Sequence, residues 1–190
     1  MKEISLNILD IAQNSVKAGA GTVRIELKET PETLFVSISD DGCGMKPDFL
    51  AAVTDPFTTT RTTRNVGLGI PLFKLACEQT GGEFSIVSRD SENFPTDHGT
   101  TTSALFYKTS IDYTPLGDVI STLTVLIQGA PEIRWVFTHT LPGGEVRLDT
   151  AELQEALGGV PLSHPEVVAW IADYLKEQYD GANGNPCPSI

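Results

Sequence analysis

Apolar residues near the start of the chain recur with a helical period. Ile8, Leu9, Ile11, Ala12 and Val16 make one side of a helix whose other side carries Asn7, Asp10, Asn14 and Lys17. Ala18-Gly19-Ala20-Gly21 ends it, because glycine accepts the left-handed conformation that closes a helix. From Thr22 to Leu27 the alternation changes to a period of two. After a turn around Pro31 it repeats from Thr33 to Ser39, and both runs predict strands. Pro47 to Val53 has the length of a short helix. The segment from Pro56 to Asn65 has no hydrophobic period and holds five threonines and two arginines.

The helical pattern returns from Ile70 to Gln79, with Pro71 in its first turn and Gly81-Gly82 as its stop. Glu83 to Ser88 and Thr100 to Tyr107 predict strands, with a polar loop containing Pro95 and Gly99 between them. Beyond Tyr113-Thr114-Pro115, Leu116 to Gln128 predicts a helix. Glu132 to Thr140 and Glu145 to Leu148 predict a hairpin around Pro142-Gly143-Gly144. Two helices follow, Thr150 to Leu157 and Ser163 to Gln178, the second with capping-box spacing between Ser163 and Glu166. The Gly-, Asn- and Pro-rich residues 180–190 are expected to be a disordered tail.

Composition adds limits. A chain of 190 residues, 40% hydrophobic and 20% charged, is an ordinary globular protein with room for one substantial core. Its net charge of −12 repels phosphate backbones and anionic lipid, so neither nucleic acid nor membrane is an expected partner. The charge is uneven: 14 acids and 10 bases up to Lys108, then 11 acids against Arg134, Arg147 and Lys176. Residues 1–108 are therefore expected as one domain and 109–179 as a small acidic α+β extension. Cys43, Cys77 and Cys187 lack metal-type spacing, and neither a signal segment nor an 18-residue apolar run is present. These features point to a cytoplasmic protein, with two thiols packed and one in the tail.

Several short patterns could carry chemistry. Asp10 and Asn14 emerge one turn apart, where a carboxylate and an amide could share a hydrated Mg²⁺ and a reacting water, or form a solvated stripe. Asp40-Asp41-Gly42-Cys43-Gly44 follows a strand; its glycines let backbone approach a flat ligand, and a strand-end aspartate can accept from an exocyclic amine. A plain Asp/Gly turn is the alternative. Gly67-Leu68-Gly69 frees backbone N–H groups at the positive end of a helix, a setting for phosphate. Arg61 and Arg64 lie just before it, where a loop could bring positive charge over phosphates or stay solvated. Gly99-Thr100 opens the last of the first four strands.

Taken in order, Asp-x-x-x-Asn on a helix, Asp-x-Gly-x-Gly after a strand, Pro-Phe-Thr-Thr, Gly-x-Gly opening a helix and Gly-Thr opening a strand resemble the GHKL superfamily across residues 5–107. That superfamily comprises gyrase-type ATPases, a heat-shock chaperone, histidine kinases and MutL proteins. The resemblance implies an α+β fold, a two-layer sandwich of the Bergerat type in which helices cover one face of a mixed β-sheet. It implies ATP and Mg²⁺ as cofactors, with Asn14 on the metal and Asp40 on the adenine amine. Gly42 and Gly44 would shape the base pocket, Gly67, Leu68 and Gly69 would cradle phosphate, and Thr100 would lie on the adenine side. Lys17, Met45 and Thr60, with Arg61 and Arg64, complete the expected nucleotide-binding set.

Asp10 takes the place of the glutamate that such proteins usually carry four residues before the asparagine. Its side chain is one methylene shorter, which leaves open either ATP turnover or binding with little turnover. Asn14-Ser15 and Ala18-Gly19-Ala20 look like MutL, whereas Pro56-Phe57-Thr58-Thr59-Thr60 looks like histidine kinases. With Asn14 so near the first residue, no phosphoacceptor hairpin is expected upstream. The expected relatives are then anti-sigma-factor kinases or a regulatory ATPase that acts on a separate protein partner, with a homodimer allowed. His98, His139 and His164 are expected as ordinary loop, strand or cap residues. Trp135, Phe137, Trp170 and Tyr174 are expected to pack the core of the extension.

Overall fold

The computed structural model describes residues 3–53 and 69–183. Helix α1 (Ile4–Lys17) buries Ile4, Ile8, Ile11, Ala12 and Ser15 on one side. Its first two backbone N–H groups, which have no partner inside the helix, donate to Pro115 and Leu116 carbonyls at 3.0 and 2.8 Å. Strands β1 (Thr22–Glu29) and β2 (Thr33–Asp40) form an antiparallel pair, and α2 (Pro47–Val53) follows them. Helix α3 (Gly69–Gln79) leads into β3 (Glu83–Arg89) and β4 (Gly99–Tyr107).

The later segment comprises α4 (Val119–Gly129), β5 (Arg134–Leu141), β6 (Gly144–Asp149), α5 (Thr150–Leu157) and α6 (Pro165–Ala182). Its strands extend the sheet of the first half, in the order β3-β4-β2-β1-β5-β6. Strand β5 runs parallel to β1 with Ile25 opposite Phe137, and the other pairs are antiparallel, so the sheet is mixed. Backbone pairing thus crosses the composition break at Lys108.

Helices cover one face. In β1, Val23, Ile25 and Leu27 are buried while Arg24 and Lys28 are exposed, the alternation of a sheet with one covered side. Above the buried side, α3 meets α1, α1 meets α4 and α4 meets α6, a row running from β3 to β6. The fold is the expected two-layer α+β sandwich. One hydrophobic cluster runs through it, from Phe73 and Phe106 at one end to Trp135, Phe137 and Ile171 at the other.

Some expectations change. Helix α6 starts with His164 as its cap, whose Nδ1 accepts from the Glu166 N–H at 3.4 Å; Ser163 lies one residue too early. The helix continues to Ala182, past the expected start of the tail. Asn7, expected on the solvated side of α1, is 2% exposed, and its Oδ1 has no hydrogen-bond partner among the described residues. Trp135 and Phe137 are buried as expected, but Trp170 is 50% exposed and Tyr174 37%. Cys77 is buried, Cys43 is exposed rather than packed, and Cys187 lies outside the described residues.

Candidate functional site

A cavity of about 710 Å³ opens beside the C-terminal half of α1. Such a volume lies within the range of small-molecule sites. Its walls come from α1 (Ile11, Asn14, Ser15, Lys17, Ala18), the ends of β2 and β4 (Ile38, Asp40, Thr100, Thr102), the loop after β2 (Cys43, Gly44, Met45), α2 (Phe49, Val53) and Ile70 of α3. Apolar side chains slightly outnumber the polar ones, which are Asn14, Ser15, Lys17, Asp40, Thr100 and Thr102.

Asp40 is the last residue of β2, and its two carboxylate oxygens are held separately. Oδ2 accepts from the Ser15 hydroxyl at 2.6 Å, and Oδ1 accepts from the Gly42 N–H at 2.9 Å. Each oxygen retains a lone pair for a further donor. Asp41 points elsewhere: its Oδ1 accepts from the Gly21 and Thr22 N–H groups at 2.7 and 2.8 Å. Burial pushes the Asp41 carboxyl up, but the backbone donors of Thr22 and Gly21 outweigh it and hold it below the ordinary value of 3.8. Adjacent aspartates thus have different roles because alternate residues at a strand end face opposite ways.

The loop after Asp40 is fastened on both sides. The Cys43 N–H donates to Ala18 O at 2.9 Å, and the Ser91 N–H donates to Cys43 O at 2.9 Å. The Met45 N–H donates to Ser88 Oγ at 2.8 Å, and Ser88 Oγ pairs with Thr100 Oγ1 at 2.8 Å. His98 Nδ1 lies 2.6 Å from Gly42 O. Two glycines are required by space. A Cβ on Gly42 would come within 2.8 Å of the Ala18 Cβ, and Gly44 has φ +67° with Arg89 O only 1.9 Å from where its Cβ would sit.

Of the residues singled out from sequence, Asn14, Lys17, Asp40, Gly44, Met45 and Thr100 line the cavity. Gly42 supports it through the bond to Asp40. Asp10 is not in the lining: it packs against the start of α3, where a Cβ on Gly69 would approach the Asp10 Cβ to 2.9 Å. Thr60, Arg61, Arg64, Gly67 and Leu68, with the Pro-Phe-Thr-Thr segment, lie outside the described residues. No group of three or more His, Cys, Asp or Glu side chains suited to a metal ion occurs among the described residues.

The lining residues that sequence reasoning did not assign to the site include Ser15, Ile38 and Thr102. The strand residues were within reach, since Ile38 and Thr102 lie two positions from Asp40 and Thr100 and so share their faces. Ser15 was hidden because it lies on the core side of α1, one residue from the polar stripe.

An α+β sandwich with an open, partly apolar cavity between its first helix and a glycine-shaped loop is a fold with room for a small molecule. The family model described as histidine kinase-, DNA gyrase B-, and HSP90-like ATPase matches residues 2–110, more than half of the sequence. The chain belongs to that family, and ATP binding follows from membership. It is 31% identical over 84 residues to the sensor histidine kinase ZraS of Salmonella typhimurium, which covers 43% of this chain and 18% of that one. A putative sensor protein of Shewanella frigidimarina is 29% identical over 89 residues, covering 46% of this chain and 14% of that one. The chain thus spans under a fifth of the length of these curated relatives. The MutL ATPase domain of Aquifex aeolicus, solved in complex with ADP, superimposes with a TM-score of 0.50 at 14% identity, covering 83% of this chain and 70% of that one. That likeness is one of fold, and it reaches past residue 110 into the later segment. Among the described residues no helix is long and apolar enough to cross a membrane.

Proposed function

We propose that this chain is a regulatory module of the histidine-kinase or anti-sigma-kinase type that binds Mg-ATP and passes the γ-phosphate to water or to a protein partner in trans. The observation that carries the reading is Asp40, a carboxylate fixed at the cavity wall by Ser15 and Gly42 with acceptor capacity to spare. That arrangement suits an exocyclic adenine amine, while the apolar walls suit the flat ring. Lys17 and Asn14, which line the cavity from α1, would serve the phosphates in this reading.

The residues present also fit a magnesium ion. Mg²⁺ keeps several waters and is usually held by one or two carboxylates together with substrate phosphates, so the Asn14 amide oxygen, which lines the cavity, would add one neutral ligand to those of the phosphates and water. When bound, the ion would neutralise phosphate charge. Asp10 would serve as the base for the attacking hydroxyl or water. Titration calorimetry with ATP tests the assignment: Asp40→Ala should weaken binding by at least about tenfold, because both oxygens that could accept from the adenine amine are removed. Unchanged ATP affinity would refute the adenine role of Asp40.

A second reading is a nucleotide-responsive binding module with little turnover. It is favoured by the placement of Asp10 against Gly69 and outside the cavity lining. Incubation with γ-labelled ATP, alone and with candidate partner proteins added as acceptors, separates the two readings by whether label leaves ATP for water or for protein. A transferase or hydrolase should gain rate in Asp10→Glu, and a binding module should show Mg-ATP affinity with negligible release in both forms.

A further inference from the structure

The outer face of α6 carries a feature that the nucleotide site does not use. Trp170 and Tyr174 stack on each other there, ring centroids 5.1 Å apart and planes 9° from parallel, although half of Trp170 and over a third of Tyr174 are open to solvent. The same helix is anchored by Val167, Ile171 and Leu175, buried on the adjoining side of the helix, so the aromatic pair flanks the buried stripe. The aromatic pair is therefore surplus to the core. Trp and Tyr are the residues that most often anchor protein contacts, and an exposed stacked pair calls for a partner.

The surroundings of the pair are acidic. At 100° per residue, Glu166, Asp173, Glu177 and Asp180 fall on the same exposed arc of α6 as Trp170 and Tyr174. Lys176 is the one cation of this helix and is paired with Asp173 at 3.0 Å. The last turn of α6 has no basic residue, and Asp180 stands there, where the helix's own dipole disfavours negative charge. Charge placed against local preference, around aromatic rings that the core does not need, is the pattern of a recognition surface.

We propose that this face of α6 docks a cationic, arginine-rich segment of a protein partner. A guanidinium is planar, so it can lie on the free face of the Trp170–Tyr174 stack while its N–H groups reach the flanking carboxylates. Because α6 closes the row of helices at the β6 end, a docked segment leaves the cavity beside α1 open. The inference is independent of what the cavity binds.

Fluorescence anisotropy of labelled nona-arginine, with nona-glutamate as the opposite-charge control, tests the surface on the full chain. Saturable binding of nona-arginine is expected, weakening about tenfold or more in Trp170→Ala/Tyr174→Ala. Glu166→Gln/Glu177→Gln should weaken it as well. Glu132→Gln/Glu155→Gln removes the same charge from exposed positions off α6 and should leave binding nearly unchanged. Absence of saturable binding would overturn the proposal, as would equal losses in the two double Gln variants, which would mean that net charge alone attracts the peptide. Sedimentation that shows self-association abolished by the aromatic double variant would also overturn it, by assigning the face to a second copy of the chain.

Discussion

The two ends of the sheet treat polar groups differently. At the junction of β5, β6 and α5, polar atoms close on one another. Arg134 donates to both oxygens of Asp149 at 3.1 and 2.6 Å, Asp149 also caps α5 through the Ala151 N–H, and Trp135 donates its indole N–H to Ala130 O at 3.0 Å. Around the cavity, Asp40 is held by two donors and still faces open space with acceptor capacity. A closed network stabilises a fold, whereas a positioned group with unused valence is available to a ligand. The cavity end is therefore where chemistry is expected and the β5–β6 end is where stability is expected.

Substitution of Trp135 makes the largest test of this division. Trp135 is 1% exposed and sits opposite Val23 in the parallel pairing of β5 with β1. Trp135→Ala should cost about 3–5 kcal/mol, read by chemical denaturation, and should lower nucleotide affinity only through loss of folded protein. If instead the variant kept its stability, the segment after Lys108 would be an appendage rather than part of one core.

Ser15→Ala should do the reverse. The hydroxyl that fixes Asp40 Oδ2 would be lost from a side chain that is 3% exposed, and ATP affinity should fall about tenfold by calorimetry while the melting temperature moves by a few degrees or less. An equal loss of stability and affinity would blur the distinction between the two ends.

The smallest effect is a slope with pH. Burial pushes His139 below its ordinary 6.5, with Lys108 adding to this and Glu29, 3.3 Å from Nε2, opposing it. The unfolded chain then binds more protons than the folded one below about pH 6.5, so stability should decline as pH drops through 6.5 toward the lower folded value. Arg134 holds Asp149 below its ordinary 3.8, so that contribution is present above pH 3.8 and is lost only under stronger acid. Melting curves across pH should show the first decline in the native chain and a flatter profile in His139→Gln.

Much of this fold was legible because local rules and tertiary packing agree. The period-two runs gave β1 to β4 to within two residues at each end, and the helical run before Gly19 gave α1. The composition break at Lys108 suggested a separate extension, yet charge reports on the surface and says nothing about which strand pairs with which. The pairing of β5 with β1 joins residues more than a hundred positions apart, which no local pattern encodes. Likewise Trp170 and Tyr174 have the composition of core residues, and only the rotation of α6 about its axis turned them outward.

Spacing along the backbone sets the order of elements, the glycine-shaped loop after Asp40 and the residue types available to a nucleotide, so these could be read from the order of residues alone. Packing of the helices on the sheet brings Ser15 to Asp40 and Asp10 to Gly69, carries one sheet across Lys108 and leaves the aromatic pair of α6 facing outward. Those outcomes depend on distances between residues far apart in the chain, which are fixed only when the helices settle on the sheet.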